Sequence, residues 1–540
     1  MPFDICTLDF ELITMITIKI DNRNIEVQEG TPVILAAKAA GVDIPAMCWR
    51  EGKEHITSCM ICLVKDVTAN KLIPSCSVSV REGMEIITMD AEIHEARKTA
   101  LDLLLSEHVG DCVAPCQVTC PANMNIPLMN RLLAKGDFEN ALRIIKRDIA
   151  LPAVFGRVCP APCEGACRRK SIDEPVSICL LKRSAGDFDI TNENQYLPER
   201  EALKNKKICI IGAGPAGLSA AYFLQLRGYD VEVYDRNGNP GGTLQKEVES
   251  GILPAEVLEK EIDVLRKLGV VFRMKTDVRA EDFQNMRSAF DAVVICAGSG
   301  KSGIENWGLE MTDKGIKADA KTNQVGAANI FAAGSALRPA KMAIKALGQG
   351  KELAFSVDQF LQNRKVTGEY FMFNSRFGKL MTDELVEYLK ESVEGPRFKP
   401  TSVSEGLTRD QVIMEAKRCL RCDCREIENC KLRIYSDHYG ADQSRFRSEE
   451  RKVIKKYFQH EAVVYEPAKC IKCGICVDIT AEYSEDFGFT FIGRGFEVEV
   501  GMPFTRSLKE GLKKVALEAA RACPTGALSE KEKGIEKKGK

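Results

Sequence analysis

No run of apolar residues in this 540-residue chain approaches the roughly 20 needed to cross a bilayer. The N-terminus carries acids where a secretion signal would carry bases. An excess of one charge is missing too: 76 Lys and Arg stand against 77 Asp and Glu, interleaved along the chain, so no broad basic field exists to attract a polyanion. These absences argue against a membrane span and against nucleic acid as a partner, and the expectation is a soluble, cytoplasmic protein. The length is too great for one ordinary core, so several domains are expected.

What is abundant is cysteine, with 22 residues. In a reducing compartment, cysteines at short regular spacing mark metal ligands more often than disulfides. All fall into groups except Cys6, Cys179, Cys209 and Cys296. Cys209 and Cys296 sit in the apolar strand-like runs "KICII" and "AVVICAG", where a small buried hydrophobe is the expected role.

"MITIKIDNRNIEVQEG" alternates apolar and polar residues about a polar turn, the pattern of a hairpin buried on one face. In "TPVILAAKAAG", Thr31 is placed to cap a helix, Pro32 to open it and Gly41 to stop it. Met15 is a natural start, and the preceding fourteen residues read as an extension. Cys48, Cys59, Cys62 and Cys76 follow, two close together and two brought in from the flanks. The order of hairpin, helix and cysteine loop resembles a plant-type ferredoxin. Its spacing is closer to the N-terminal [2Fe-2S] domain of the iron-sulfur large subunit of NADH:quinone oxidoreductase and of iron-only hydrogenases. Zinc is the alternative for four thiolates, although zinc sites usually show two CxxC pairs and this loop has one.

"HVGDCVAPCQVTCPANMNIP" and "GRVCPAPCEGACRRKSIDEPVSICLLKR" bracket an amphipathic helical stretch, "LMNRLLAKGDFENALRIIKRD". They contain Cys112, Cys116, Cys120, Cys159, Cys163 and Cys167. This pair of segments resembles the double-cluster domain of the glutamate synthase small subunit and of dihydropyrimidine dehydrogenase. The resemblance implies that Cys116, Cys120, Cys163 and Cys167 hold one [4Fe-4S] cluster. A second site would keep only Cys112 and Cys159, with His108 and Cys179 as the nearest further ligands. His108 precedes Cys112 by four, as in a His/Cys cluster motif of the hydrogenase and complex I family.

"KKICIIGAGPAGLSAAYFLQLRGYDVEVYDR" runs from an apolar strand through Gly212, Gly214 and Gly217 into a helix, then into a second strand ending at Asp235. The glycines allow a tight turn and close approach of a pyrophosphate, the helix N-terminus favours its charge, and the acid reaches ribose hydroxyls. With "NPGG", "FDAVVICAG" and "NIFAAGSALRPAKMAIKALGQGKELA", the segment resembles the FAD domain of the glutamate synthase small subunit and of disulfide-reductase-like flavoproteins. The resemblance implies cofactor contacts from Gly212, Gly214, Pro215, Ala216 and Gly217, from Asp235 and Arg236, and from Gly242. It extends them to Ala297 and Gly298, and to Gly334, Ser335 and Ala343. Ser335 stands where that family usually has aspartate.

In those relatives an NAD(P)H domain is inserted before the last FAD segment. Here only residues 299–328 fill that place, and a domain typically needs on the order of 100 residues. The one further GxGxxG match is "GSGKSG" itself, residues 298–303. "GSGKSG" fails as a phosphate loop because Ile295 occupies the position of its first glycine. The expected flavin therefore lacks a nicotinamide site of its own.

"EAKRCLRCDCREIENCKL" places Cys419, Cys422, Cys424 and Cys430 within twelve residues, tight enough for a cubane wrapped by local chain. Zinc is the rival there. "EPAKCIKCGICVDIT" gives Cys470, Cys473 and Cys476 at ferredoxin-like spacing, and "ARACPTGAL" supplies Cys523 just before a proline. With the intervening "GFTFIGRGFEVEV", this split arrangement resembles a [4Fe-4S] site of the complex I large subunit. The tail "EKEKGIEKKGK" reads as a solvated end.

The expected fold class is multidomain α/β and α+β, in five parts. Residues 15–95 form a β-grasp ferredoxin-like [2Fe-2S] domain and 96–200 an α-helical double-cluster domain. Residues 201–365 form a Rossmann-like FAD domain without the NAD(P) insertion, 366–435 a connector with a [4Fe-4S] motif, and 436–540 a C-terminal ferredoxin-like [4Fe-4S] domain. The expected cofactors are FAD, one [2Fe-2S] cluster and three to four [4Fe-4S] clusters. No general acid/base pair, molybdopterin domain or hydrogenase active-site cysteine signature is apparent, and no catalytic residue is assigned. The composite resemblance implies an electron-transfer subunit of a multisubunit oxidoreductase linked to NAD(P) or ferredoxin, such as an electron-bifurcating hydrogenase or formate dehydrogenase complex. Its partners would be an NAD(P)-binding flavoprotein subunit and a hydrogenase or formate dehydrogenase subunit, with ferredoxin as a further candidate. The alternative is a self-sufficient NAD(P)H:acceptor reductase.

Overall fold

The structure is a computed structural model that describes residues 14–299, 303–326, 329–339, 341–400, 402 and 405–531. Cys6, most of the expected N-terminal extension, the middle of "GSGKSG" and nearly all of the charged tail lie outside the described residues. The chain divides into two compact units, one comprising Met1–Cys112, Met372–Glu387 and Asp423–Lys540, the other Val113–Phe371 and Tyr388–Cys422. The second unit thus interrupts the sequence of the first between Cys112 and Asp423.

In the first unit, β1 (Met15–Ile20) and β2 (Arg23–Gln28) form an antiparallel hairpin. Asp21 and Asn22 both take positive φ at its tip, the backbone shape that a tight two-residue hairpin turn demands. Ile16, Ile18 and Ile20 alternate into the core, as the pattern predicts. The helix α1 (Val33–Ala39) starts one residue later than expected, with Pro32 at the N-cap. The hydroxyl of Thr31 donates back to the Gln28 carbonyl, and no side chain caps the first turn of the helix. Three more strands, β3 (Leu63–Asp66), β4 (Lys71–Pro74) and β5 (Glu85–Ile87), complete a sheet of order β2-β1-β5-β3-β4 in which only the β1–β5 pairing is parallel.

The helix α2 (Ala91–Ser106) is capped by the Asp90 carboxylate, which accepts from the Ile93 N–H. From α2 the buried Arg97 donates to the carbonyls of Leu63 and Thr88 and to the Tyr439 hydroxyl, tying the sheet to the C-terminal part of the same unit. There the strands Val463–Tyr465 and Leu528–Glu530 pair antiparallel. The helices Ile475–Glu482 and Ala516–Ala522 pack on them around Ile479, Ala519 and Leu528. The strands Thr490–Ile492 and Glu499–Gly501 form a separate antiparallel pair.

The second unit begins with short helices: α3 (Pro115–Thr119), α4 (Ile126–Ala134), α5 (Phe138–Lys146), α6 (Pro152–Val158), α7 (Pro162–Gly165) and α8 (Ile178–Ile190). The amphipathic helical stretch is two helices, broken at Gly136 with φ of 75°, after which Asp137 caps α5 by accepting from Asn140. Helices α6 and α8 touch through glycine. A Cβ on Gly156 would stand 2.5 Å from the Arg183 Cα, and one on Gly186 the same distance from the Ala153 nitrogen.

A parallel sheet follows. Its strands are β6 (Lys207–Ile211), β7 (Asp230–Tyr234), β8 (Val271–Arg273), β9 (Ala292–Ile295) and β10 (Ile330–Ala332), in the order β10-β9-β6-β7-β8. Its helices are α9 (Pro215–Leu226), α10 (Leu244–Glu249), α11 (Ala255–Leu268), α12 (Ala280–Ala289) and α13 (Ala343–Leu361). Among the described residues of 299–328 the one helical element is the short turn Ile304–Trp307, whose Trp307 stacks on Phe283 at 4.5 Å. Cys209 is fully buried in β6, as expected for a packing residue.

Candidate dinucleotide cavity and cysteine centres

At the C-terminal ends of the parallel strands lies a cavity of about 680 Å³, the place where open α/β sheets receive ligands. Strand β6 leads into Gly212, whose φ of 110° and contact with the Cys296 carbonyl (2.3 Å to an added Cβ) leave no room for a side chain. Gly217 is bound as tightly against the Gly212 carbonyl, 1.9 Å from an added Cβ, which sets α9 hard against the strand turn. Gly214 is the N-cap of α9 and Pro215 opens it, so the helix directs its free N–H groups and positive end at the cavity. Asp235, directly after β7, accepts from the backbone N–H groups of Ala213 and Asn237.

Of the residues predicted to touch a dinucleotide, Gly212, Gly214, Pro215, Ala216, Asp235, Arg236, Gly242, Ala297, Gly298, Ser335 and Ala343 line this cavity. Gly217 and Gly334 instead serve packing behind it. An added Cβ at Gly334 would meet the Ala216 methyl at 3.0 Å. Cys296, predicted as a packing residue only, also faces the cavity while remaining buried. Sequence reasoning missed Asn306 and Trp307, from the segment 299–328, and Lys341 and Met342 before α13. None of these carries a motif.

The sulfurs group differently from the expectation. Within the first unit, Cys48 and Cys59 stand 3.3 Å apart and Cys62 and Cys76 3.4 Å apart, all four buried. The Cys48 thiol is held well below its ordinary range by hydrogen bonds from Cys59 and then Cys76. Cys470, Cys473, Cys476 and Cys523 line one small enclosed space, at the start of the helix Ile475–Glu482 and the end of Ala516–Ala522. Both sets bring together cysteines that the spacing grouped.

Cys419, Cys422, Cys424 and Cys430 do not form one set. Cys424 and Cys430 go with Cys112: the Cys424 N–H donates to the Cys112 carbonyl, and burial, then Cys424, pushes the Cys112 thiol up to about 11. Burial, then Cys424 and Cys112, pushes Cys430 up to about 12. His108, one turn before Cys112, has a buried Nδ1 without a hydrogen-bond partner, and burial followed by Lys469 lowers its pKa to about 4.

In the second unit Cys419 and Cys422 join Cys116 and Cys167 around a small enclosed space. Burial, then the sulfurs of Cys419, Cys422 and Cys167, pushes the Cys116 thiol well up. The expected set of Cys116, Cys120, Cys163 and Cys167 is therefore split. Cys120 and Cys163 belong with Cys159 and Cys179: burial holds Cys163 up at about 12 with Cys120 and Cys159 beside it, and Cys179 hydrogen-bonds Cys159. The physical reason is that Cys419 and Cys422, from a segment far along the chain, come up to Cys116 and Cys167, so spacing within 112–167 does not decide the partners.

Two buried arginines fix the split set. Arg169, two residues after Cys167, donates to the carbonyls of Val393 and Arg418 and to the Asp173 carboxylate. Arg418, directly before Cys419, donates to the Gly395 carbonyl, Glu415 and Asp173. The helix α13 joins the cavity to the other set: its first residue, Ala343, lines the cavity, and Gly348 lies against the backbone at Pro121, next to Cys120. Its Lys351 donates to the Ala122 carbonyl and to Asp148.

Three domain families match the chain. The 2Fe-2S iron-sulfur cluster binding domain matches residues 14–91, the 4Fe-4S domain II of dihydropyrimidine dehydrogenase matches 93–194, and an NAD(P)-binding Rossmann-like domain matches 210–274. The NADPH-Fe(3+) oxidoreductase subunit beta of Geobacter sulfurreducens is 37% identical over 207 residues, 38% of this chain and 30% of that protein. The NADP(+)-dependent formate dehydrogenase subunit beta of Moorella thermoacetica is 36% identical over 34% of this chain and 29% of its own length. The NAD-dependent dihydropyrimidine dehydrogenase subunit PreT of Escherichia coli O157:H7 is 35% identical over 35% and 47%. The matches span less than half of each of these relatives. No helix among the described residues is long and apolar enough to cross a membrane.

Proposed function

We propose that this chain is an iron-sulfur flavoprotein that passes electrons as a subunit of a soluble, cytoplasmic oxidoreductase complex linked to NAD(P) or ferredoxin, of the electron-bifurcating hydrogenase or formate dehydrogenase kind. The carrying observation is that every described cysteine except Cys209 and Cys296 falls into one of five groups. Buried sulfurs gathered in this way suit polynuclear iron, whose positive charge stabilises all the thiolates together. Ligands of one zinc ion stand within about 4 Å of each other, and among the described residues no set of three or more His, Cys, Asp or Glu side chains is arranged for a single metal ion.

We assign [2Fe-2S] to Cys48, Cys59, Cys62 and Cys76. Four [4Fe-4S] clusters are assigned to Cys470, Cys473, Cys476 and Cys523; to Cys116, Cys167, Cys419 and Cys422; to Cys120, Cys159, Cys163 and Cys179; and to Cys112, Cys424 and Cys430 with His108 as the fourth ligand. The divisions 15–95, 96–200, 201–365 and 436–540 are kept as part of this reading, while 366–435 supplies cysteines to two sites rather than holding one of its own.

The cavity suits FAD. Gly212, Gly214 and the α9 N-terminus form an anion cradle, Asp235 and Arg236 stand where a ribose arrives, and Ala297, Gly298, Ser335 and Ala343 offer a backbone wall for a flat ring. Bound there, a flavin interconverts electron pairs and single electrons, while the clusters carry single electrons. The chain's own contribution is to hold these groups, keep water from them and set their potentials.

The match of 210–274 to an NAD(P)-binding domain supports a second reading, a self-sufficient NAD(P)H:acceptor reductase in which nicotinamide gives its hydride directly to the flavin of this chain. Anaerobic purification with iron, sulfide and flavin counts tests the first: one FAD per chain with all five sites filled is expected, and colourless protein containing zinc would end it. Rapid mixing with NADH and NADPH separates the two. Prompt bleaching of the isolated chain favours the second reading, and bleaching only after a partner subunit is added favours the first.

A further inference from the structure

We propose that Lys182 is a fixed positive charge that raises the reduction potential of the cluster held by Cys120, Cys159, Cys163 and Cys179. The proposal rests on the reading of that set as a cluster site. Lys182 lies on α8, three residues after Cys179 and so on the same face of the helix. It is 4% exposed.

A buried ammonium needs a counter-charge. The other buried lysines all have a carboxylate: Lys146 has Asp189, Lys351 has Asp148, and Lys456 and Lys469 share Glu466. Among the described residues Lys182 makes no ion pair with a carboxylate. After burial, which opposes it, what holds its charge is the sulfurs of Cys179, Cys159, Cys120 and Cys163. Glu164, the carboxylate that acts on the same sulfurs, is engaged by Arg397 and by the Cys179 N–H. The counter-charge within reach of this buried ammonium is therefore the four sulfurs, which bear negative charge together when metal is bound.

Reduction by a one-electron donor adds one electron, with no bond made or broken and no proton moved. The site becomes more negative by one charge, and a nearby buried cation favours that state through a low-dielectric interior.

The test uses the full chain, purified anaerobically and poised with dithionite and mediators while cluster signals are followed by electron paramagnetic resonance. The signal belonging to this site is the one lost in Cys163→Ala. If Cys163→Ala removes neither iron nor a signal, the reading of the site fails, and the lysine's role falls with it. With the site established, Lys182→Met and Lys182→Gln are expected to keep their iron and to shift that one midpoint to lower potential. Lys182→Arg should restore it, and the other midpoints should stay in place. Unchanged midpoints with full iron would overturn the proposal. So would loss of iron in both uncharged variants but not in Lys182→Arg, since the lysine would then be needed for assembly rather than for potential.

Discussion

Two of the cysteine centres gather their four sulfurs by opposite routes. Cys48, Cys59, Cys62 and Cys76 come from one loop between α1 and the end of β4, and the hairpin β3–β4 that spans Cys62 and Cys76 is itself local. Cys116, Cys167, Cys419 and Cys422 come from three segments, the last of them reached only after the entire parallel sheet has been threaded. A site of the first kind forms as soon as its loop closes. One of the second kind requires long-range closure, whose entropy must be met before any contact rewards it. The Arg169 and Arg418 clasp is the fold's answer: it holds the two cysteine segments together through hydrogen bonds.

The sharpest way to break this contrast is to remove Cys419 and Cys422 together. The double Ala variant is expected to lose one cluster, about four irons, while the signal of the Cys48 set is untouched. Cys424→Ala should abolish a different signal. If both variants abolish the same one, the four cysteines from 419 to 430 act as a local set after all, and the contrast fails.

Next in size is the clasp itself. Arg169→Leu leaves the Asp173 carboxylate and the carbonyls of Val393 and Arg418 short of a donor. A cost of about 1–3 kcal/mol is expected, as for buried carbonyls left without a donor. It should appear as a lower urea midpoint for the second unit, with partial iron loss confined to the Cys116 set. Equal loss at the Cys48 set would show general misfolding instead.

The same contrast explains what sequence could show. The hairpin, the Gly212–Gly217 turn, the Cys48 loop and the split CxxCxxC of Cys470–Cys476 were all legible, because each depends on residues close in sequence or on a spacing tied to one element. The partition of the middle cysteines was not. Spacing placed Cys116 with Cys120, yet one helical turn separates them onto neighbouring sites, and nothing local tells Cys422 from Cys424, which belong to different units. Cys179 looked solitary because its partners lie on other segments. The two-helix break at Gly136 was legible in principle, since a Gly-Asp pair is a stop followed by a cap.

A smaller effect probes the link between cavity and cluster site. Gly348 on α13 leaves only 2.2 Å between an added Cβ and the Pro121 carbonyl. Gly348→Ala must push α13 from the chain beside Cys120. About 1–3 kcal/mol of destabilisation is expected from such overpacking, together with weaker flavin retention, because the same helix begins at the cavity. Unchanged thermal stability would mean that the helix slides without loss and that the two sites are not tied through it.

The subtlest prediction concerns pH. Glu261 on α11 accepts from the backbone N–H groups of Ala153 and Val154, capping the first turn of α6, the helix that runs into Cys159. Burial pushes its carboxyl from 4.5 up to about 8, against the pull of those two donors. The folded chain therefore keeps a proton that the unfolded chain releases between these values. Stability must then fall as pH rises through the window and level off above about 8, the reverse of an ion-paired carboxylate. Glu261→Gln, which stays neutral throughout, is expected to flatten that slope in urea melts of the second unit, whereas the Cys48 site, built without such a group, should show the same pH dependence in both proteins. A slope that survives the substitution would place its origin elsewhere, and would leave α6 capped by a carboxylate that is already ionised.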